Sequence, residues 1–124
     1  MDAIEIRAKE WASMAKSSYL ETAAWADGDE AGAHCGDDLD SAAAGQALDD
    51  LAGLFAYVAE VSPVALDELE SDPAQAGHDF WLSRNGHGAG FWDGDWEHGQ
   101  ALHDAAKTFG TVCIVEGDHG PTFA

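Results

Sequence analysis

The sequence has very few basic residues. Its 124 residues include 24 Asp and Glu but only five Lys and Arg, which gives a formal net charge of −19. Lys16 is the last basic residue before Arg84, so the stretch 17–83 contains none. Direct binding of nucleic acid needs cations that displace the counterions of the phosphates, and this composition excludes it. The attractive partners of such a chain are basic surfaces.

Long apolar runs and cysteine pairs are also missing. No stretch approaches the roughly 20 apolar residues of a membrane span, and the start, Met1 to Glu5, lacks the basic end of a signal peptide. The separation of Cys35 and Cys113 fits neither a zinc spacing nor a disulfide framework. We therefore expect a cytoplasmic protein with two free thiols.

The most distinctive stretch is 77–94, which reads GHDFWLSRNGHGAGFWDG. Two aromatic runs, Phe80-Trp81-Leu82 and Phe91-Trp92, flank a glycine-rich loop that begins at Asn85-Gly86. This composition predicts two strands joined by a turn with positive φ. Because alternation places apolar bulk on both faces, we expect a β-hairpin inside a sheet with helices packed on it.

The run from Asp79 to Asp93 also resembles a motif of small proteins encoded by tailed phages and prophages, Asp-Phe-Trp-Leu-Ser/Thr-Arg-Asn-Gly-His-Gly-x-Gly-Phe-Trp-Asp. A weaker similarity extends from Tyr19–Trp25 to the turn Gly117–Gly120. The chain departs from the family at Gly94, where an Arg is frequent, and at His119, where an Asp is usual. The resemblance implies a phage context and a shared fold. It implies no reaction, because the family has no settled activity.

Two long helices are predicted in the first half. The first runs over about 3–26, where apolar residues follow a 3.6-residue period behind an Asp2 cap. The second begins at the Asp40-Ser41 cap and ends before Ser62-Pro63. Its stripe of apolar residues leaves the pair Asp49-Asp50 facing solvent.

The second half is predicted to contain the sheet. Its elements, in order, are helical turns at 65–69 and 72–77, the hairpin, a helix at 95–109 ended by Gly110, and strands at 111–116 and 121–123. The expected fold class is α+β, with two N-terminal helices followed by a β-β-α-β-β unit with a mostly antiparallel four-stranded sheet. We expect one domain, helical and acidic over 1–76 and built from the sheet and one helix over 77–124.

The acidic residues are densest over 21–79, and they suggest a function. B-DNA carries about one negative charge per 1.7 Å of axis, and a folded surface with comparable carboxylate density can occupy a groove built for it. The leading hypothesis is a phage-encoded DNA mimic that blocks a host CRISPR effector or restriction enzyme, without contacting nucleic acid or membrane. The residues predicted to bind this partner are Asp27, Asp29, Glu30, Asp37, Asp38, Asp40, Asp49, Asp50, Asp67, Glu68, Glu70 and Asp72.

An enzyme is the main alternative. A small enzyme or metal-dependent factor could use His78, Asp79, His87 and Asp93, with His87 as general base and Asp93 orienting it. The competing interpretation is structural, with Arg84 pairing with Asp79 or Asp93. We favour it because no nucleophile elbow, phosphate loop or metal spacing accompanies these residues.

Two further alternatives explain the acidity without inhibition. The chain could be an accessory protein that binds a basic phage or host protein. It could also be adapted to high salt, although such adaptation spreads charge over the whole surface, whereas the acids here cluster in 21–79.

Metal binding has little support in the sequence. The acidic loop 27–40 lacks the Asp-x-Asp-x-Asp-Gly start and the twelfth-position Glu of an EF-hand. His98 and His103 are five residues apart on a predicted helix and do not share a face. We therefore expect no metal and no cofactor.

Overall fold

The protein is mostly helical in a computed structural model, which describes residues 2–94 and 96–124. Its elements are α1 (Ala3–Asp27), α2 (Ser41–Val61), α3 (Pro63–Ser71), α4 (Pro73–Arg84), α5 (Gly99–Lys107), β1 (Ile114–Gly117) and β2 (Gly120–Phe123). Short 3-10 turns lie at Asp29–Ala31, Gly36–Asp38 and Phe91–Asp93. The predicted four-stranded sheet and α+β class are therefore wrong: the described residues contain a single two-stranded sheet.

The two long helices begin at the predicted caps. The carboxylate of Asp2 accepts a hydrogen bond from the Glu5 amide at 2.8 Å, and that of Asp40 accepts one from the Ala43 amide at 2.8 Å. Such bonds satisfy amides that the first turn of a helix leaves without partners. The predictions of α1 and α2 are confirmed, since both signals are local in the sequence.

The predicted hairpin at 77–94 is wrong, because its first aromatic run lies in α4. This helix begins at Pro73, behind an Asp72 cap that accepts from the Gln75 amide at 3.2 Å, and it continues to Arg84. Phe80, Trp81 and Leu82 are all buried. A helix that is covered on nearly every side shows no polar stripe, so its sequence lacks the periodicity that would have identified it.

The glycine-rich loop does have the predicted positive φ angles, at Gly86, Gly88 and Gly90. It leads from a helix into the 3-10 turn Phe91–Asp93, however, and not into a second strand. A Cβ at Gly90 would lie 2.2 Å from the Ser83 hydroxyl oxygen, so only glycine fits where the loop returns to α4.

The C-terminal prediction is partly right. The helix expected at 95–109 spans Gly99–Lys107, and residue 95 lies outside the described residues. Gly110 has the left-handed φ predicted for it, 73°. The strands expected at 111–116 and 121–123 form the antiparallel pair β1–β2, with Ile114 opposite Phe123.

The core lies between α1, α2 and α4. Trp11, Tyr19, Phe55 and Trp81 are among its fully buried side chains. At Gly77 a Cβ would lie 2.5 Å from the Ala15 carbonyl oxygen, so α1 and α4 touch through their backbones there. Among the residues described, no helix is both long and apolar enough to cross a membrane.

Candidate functional site

Arg84 is the one buried basic residue of the described chain, with 3% of its side chain exposed. Its guanidinium donates to the Asp50 carboxylate at 2.8 Å, the Tyr19 hydroxyl at 2.9 Å, and the carbonyls of Gly110 and Phe109 at 2.9 and 3.0 Å. The predicted pairing of Arg84 with Asp79 or Asp93 is therefore wrong. So is the prediction that Asp50 faces solvent, because this carboxylate joins α2 to α4.

Tyr19 shares the interior with this ion pair. Burial raises the pKa of its hydroxyl to about 12, more than the nearby Arg84 lowers it. The neutral hydroxyl accepts the Arg84 hydrogen bond at ordinary pH. The pair and the tyrosine thus form one connected network at the centre of the fold.

His87 pairs with Asp27, and not with Asp93 as the enzyme hypothesis required. Its Nε2 lies 2.7 Å from the Asp27 carboxylate, which also accepts from the Trp81 indole N–H at 2.5 Å. Asp93 instead accepts from the amide of Gly90 at 3.0 Å and closes its own turn. The proposed general base and its orienting acid are therefore not a pair.

His78 and Asp79 have different neighbours again. The Nδ1 atom of His78 lies 2.8 Å from the Thr22 hydroxyl, while the Asp79 carboxylate accepts from the Trp96 indole at 2.6 Å and from Gln75 at 3.2 Å. Each of the four residues of the predicted polar cluster thus binds a separate partner. Their geometry supports the structural interpretation of the motif.

One hydroxyl–imidazole pair was missed in the sequence. The Ser83 hydroxyl lies 3.0 Å from Nδ1 of His103 and also accepts from the Phe91 amide at 3.0 Å. A nucleophilic serine must reach its substrate, but Ser83 is fully buried. The pair therefore connects α4 to α5 and to the Phe91 turn. The two residues are 20 positions apart, and nothing in the sequence indicates that they meet.

Seven of the twelve carboxylates predicted to bind a partner hold the fold together. Each accepts a hydrogen bond from a backbone amide, a buried or half-buried side chain, or a basic residue; they are Asp27, Asp38, Asp40, Asp50, Glu68, Glu70 and Asp72. Replacing any of them would change stability as well as surface charge. They are consequently poor sites at which to test binding alone.

The other five predicted carboxylates do not hold the fold together in this way. Asp29, Glu30, Asp37, Asp49 and Asp67 are exposed, and among the described residues none holds a backbone amide or a buried side chain. Asp29 lies 3.5 Å from His34, in a pair that is itself largely exposed. These five, which we call the free carboxylates, lie in the turns on either side of Ala33, on α2 and on α3.

Exposed acid is also found outside the segment in which the sequence concentrates it. Eight exposed carboxylates lie on the rest of the described chain: Asp2, Glu5, Glu10, Asp93, Glu97, Asp104, Glu116 and Asp118. Inside 21–79 many of the acidic side chains are buried or hydrogen-bonded within the fold. Exposed negative charge is therefore spread more evenly over the described chain than the sequence suggests. The density of acid along the sequence is thus a poor guide to its density on the surface.

Among the residues that the structure describes, one group of side chains could hold a metal ion. Donor atoms of Glu68, Glu97 and His98 lie within 4.8 Å of one another, and Nδ1 of His98 is 3.3 Å from Glu68. The Glu68 oxygens already accept hydrogen bonds from the amides of Glu97 and His98, at 2.5 and 2.8 Å. In this arrangement Glu68 fixes the turn that precedes α5.

Hydrogen bonds lower the pKa of several of these fold-holding carboxylates. The amides of His34 and Cys35 lower that of Asp38, and the Ala43 amide lowers that of Asp40. Burial alone would raise the pKa of Glu68, but the amide bonds of His98 and Glu97 and the His98 side chain together outweigh it and lower the value. Bonds of this kind stabilise only the ionised form.

Stability should therefore fall on acidification. A carboxylate whose pKa is lower in the folded state stabilises the fold above its ordinary pKa, and this contribution is lost as pH falls through the folded value. For Asp and Glu, with ordinary values of 3.8 and 4.5, the loss begins near pH 4.5. Urea midpoints measured from about pH 6 to pH 3 should decrease, and Glu68→Gln should show a lower midpoint at pH 6 and a shallower decrease.

Relief of repulsion in a chain of net charge −19 acts in the opposite direction. At about 0.15 M salt the screening length is roughly 8 Å, so distant exposed charges interact weakly and the local bonds should dominate. A midpoint that rises on acidification at this salt concentration would contradict the prediction.

Comparisons of this chain with protein-family models, curated proteins and solved structures find no match. The resemblance of 79–93 to phage-encoded proteins therefore stays a prediction. Function has to be argued from the surface and its charges.

Proposed function

We propose that this protein is a DNA mimic that occupies the nucleic-acid groove of a basic host protein. One observation carries the proposal: 17 carboxylate residues of the described chain are exposed, whereas the exposed basic residues there are only Lys9 and Lys107. Of the other three basic residues, Arg84 is buried against Asp50, Arg7 is bound to Glu70 at 2.6 Å, and Lys16 is half-buried. Nearly every charge offered to a partner is negative.

The negative potential of such a surface is complementary to that of a cationic groove. Complementary potentials steer the two proteins together and speed association, and like-charged competitors are rejected. The carboxylates that hydrogen bonds hold in the fold, such as Asp38 and Asp40, are also fixed in position, so the partner need not order them. The resemblance of 79–93 to phage proteins supports a CRISPR effector or a restriction enzyme as the partner, since phages encounter both.

The free carboxylates give a direct test. Asp29→Lys, Glu30→Lys and Asp37→Lys together should leave the fold intact, because exposed residues outside caps and networks seldom change stability by more than about 0.5 kcal/mol. The triple variant should bind the partner at least about tenfold more weakly, because three contacts become repulsive. The readout is displacement of labelled duplex DNA from purified CRISPR effectors and restriction enzymes, followed by fluorescence anisotropy.

A matched control distinguishes the effect of losing the predicted binding residues from the effect of the change in net charge. Glu10→Lys, Glu116→Lys and Asp118→Lys change the net charge by the same amount at exposed positions outside the predicted set. This control should displace DNA nearly as well as the wild type. Equal loss in both variants would show that only total charge matters, and failure of the wild type on every enzyme tested would reject the mimic.

A further inference from the structure

The last turn of α1 carries the most exposed aromatic side chain of the described residues, Trp25, with 73% of its surface accessible. An exposed ring of this size offers a partner a large apolar area at low entropic cost. Tryptophan is also among the residues most enriched at the energetic centres of interfaces. Its surroundings indicate what it binds.

Trp25 forms one wall of a small opening of about 210 Å³, lined also by Glu21, Thr22 and His78. The ring centroids of Trp25 and His78 are 6.4 Å apart, and the ring planes are within 27° of parallel. This separation is at the long end of the range for aromatic pairs in direct contact. Because 73% of the Trp25 surface is accessible, its ring keeps an exposed face that is open to a further planar group.

Hydrogen bonding leads to an assignment of the His78 tautomer. The Thr22 hydroxyl lies 2.8 Å from both the Ser18 carbonyl and Nδ1 of His78, and we assign its one proton to the carbonyl, so that it accepts from Nδ1. Neutral His78 therefore carries its proton on Nδ1. Its Nε2 is an acceptor that can receive a hydrogen bond from a ligand.

Glu21 adds a fixed negative charge to the same opening. It lies four residues before Trp25 in α1 and so on the same face of the helix. One of its carboxylate oxygens accepts from the Gly36 amide at 2.9 Å, which orients the side chain. The other carboxylate oxygen of Glu21 is not bonded to the Gly36 amide, so it can accept a hydrogen bond from a ligand.

We infer that Trp25, His78 and Glu21 form a binding pocket for an arginine side chain. That this arginine belongs to a basic partner protein rests on the function proposed above. A guanidinium is planar, stacks on indole by a cation–π contact, and donates several N–H groups in a fixed fork. The pocket offers a ring face, a carboxylate and an imidazole acceptor, which match these three properties. Two of the free carboxylates, Asp29 and Glu30, come shortly after the end of α1 in the sequence.

The test uses a hexa-arginine peptide, titrated into the ¹⁵N-labelled full chain while the indole N–H signals are followed by NMR. The Trp25 signal, assigned from Trp25→Phe, should move first. Trp25→Leu keeps apolar area but removes the ring, and it should weaken binding about fivefold, whereas Trp25→Phe should weaken it less. The control is Trp92→Leu, at another exposed tryptophan, which should bind like the wild type.

Three results would overturn the pocket: no shift of the Trp25 signal, wild-type affinity in Trp25→Leu, or equal affinity for hexa-lysine, which has no guanidinium. The pocket and the mimic fail separately. Hexa-arginine bound at Trp25, with no enzyme releasing its DNA, would leave the pocket and reject the mimic. If Trp25→Leu displaces DNA as well as the wild type does, the mimic is kept and the pocket is rejected.

Discussion

Replacing Arg84 with Ala should cost about 3–5 kcal/mol in the free energy of unfolding, because it leaves buried partners without a counterpart. The guanidinium makes four hydrogen bonds, to Asp50, Tyr19, Gly110 and Phe109. Its loss strands a half-buried carboxylate and two carbonyls. Since domains of this size are stable by only about 5–15 kcal/mol, this loss is a large fraction of the total and should lower the urea midpoint clearly.

Urea denaturation followed by tryptophan fluorescence measures this loss. Lys107→Ala removes an exposed positive charge and serves as the control, with an expected change within about 0.5 kcal/mol. Arg84→Lys keeps the positive charge but not the fork of N–H donors. It should therefore still show most of the loss in unfolding free energy that is expected for Arg84→Ala. An Arg84→Ala protein as stable as the control would show that the network contributes nothing.

A paired substitution distinguishes the ion pair from the packing around it. Arg84→Met with Asp50→Leu removes both charges and keeps apolar volume, and such replacements are often neutral or stabilising. We expect the double variant to be more stable than either single one. If its loss equals the sum of the two single losses, the two side chains do not interact.

Local signals in this sequence predicted local structure well. The caps at Asp2 and Asp40 and the 3.6-residue period located α1 and α2, because these features act within one or two turns of a helix. The positive φ angles of Gly86, Gly88, Gly90 and Gly110 were predicted for the same reason, although the first three were assigned to the turn of a hairpin and not to the end of a helix. Each prediction depended on residues a few positions apart.

The aromatic run 80–82 was misassigned because its neighbours decide its structure. Aromatic residues beside a glycine-rich turn favour strands in isolation. Here α1 and its neighbours bury the run, and a helix covered on nearly every face is the more favourable outcome. Local composition does not contain this information, since Tyr19, against which Trp81 packs, is 62 residues away.

The roles of the acidic residues could not be deduced for the same reason. Asp27 meets Trp81 and Asp50 meets Arg84 across separations of 54 and 34 residues. One signal was present, however. Arg84 is the only Lys or Arg between 17 and 106 and follows an apolar run, and an arginine that is buried with such a run needs a carboxylate partner.

Trp81→Ala should cost about 3–5 kcal/mol, the usual range for removing a buried tryptophan. The ring is fully buried and packs against Tyr19 and Phe123, with centroids 5.4 and 5.3 Å away. No neighbour can fill the space, because both partners are held by other contacts. Thermal and urea unfolding should both show the loss, and Trp92→Ala, at a half-exposed ring, should lose about 1 kcal/mol or less.

Trp81→Phe separates the packing of this ring from its hydrogen bond. Phenylalanine keeps much of the buried area but cannot donate to Asp27, which would then retain only His87. The expected cost is about 1–2 kcal/mol, since a hydrogen bond to a charged group is lost. If the Phe variant were as unstable as the Ala variant, the indole N–H would be the more important contribution. That result would make Asp27 the residue that fastens the end of α1 to α4, and substitutions there would weaken the fold before they affected any partner.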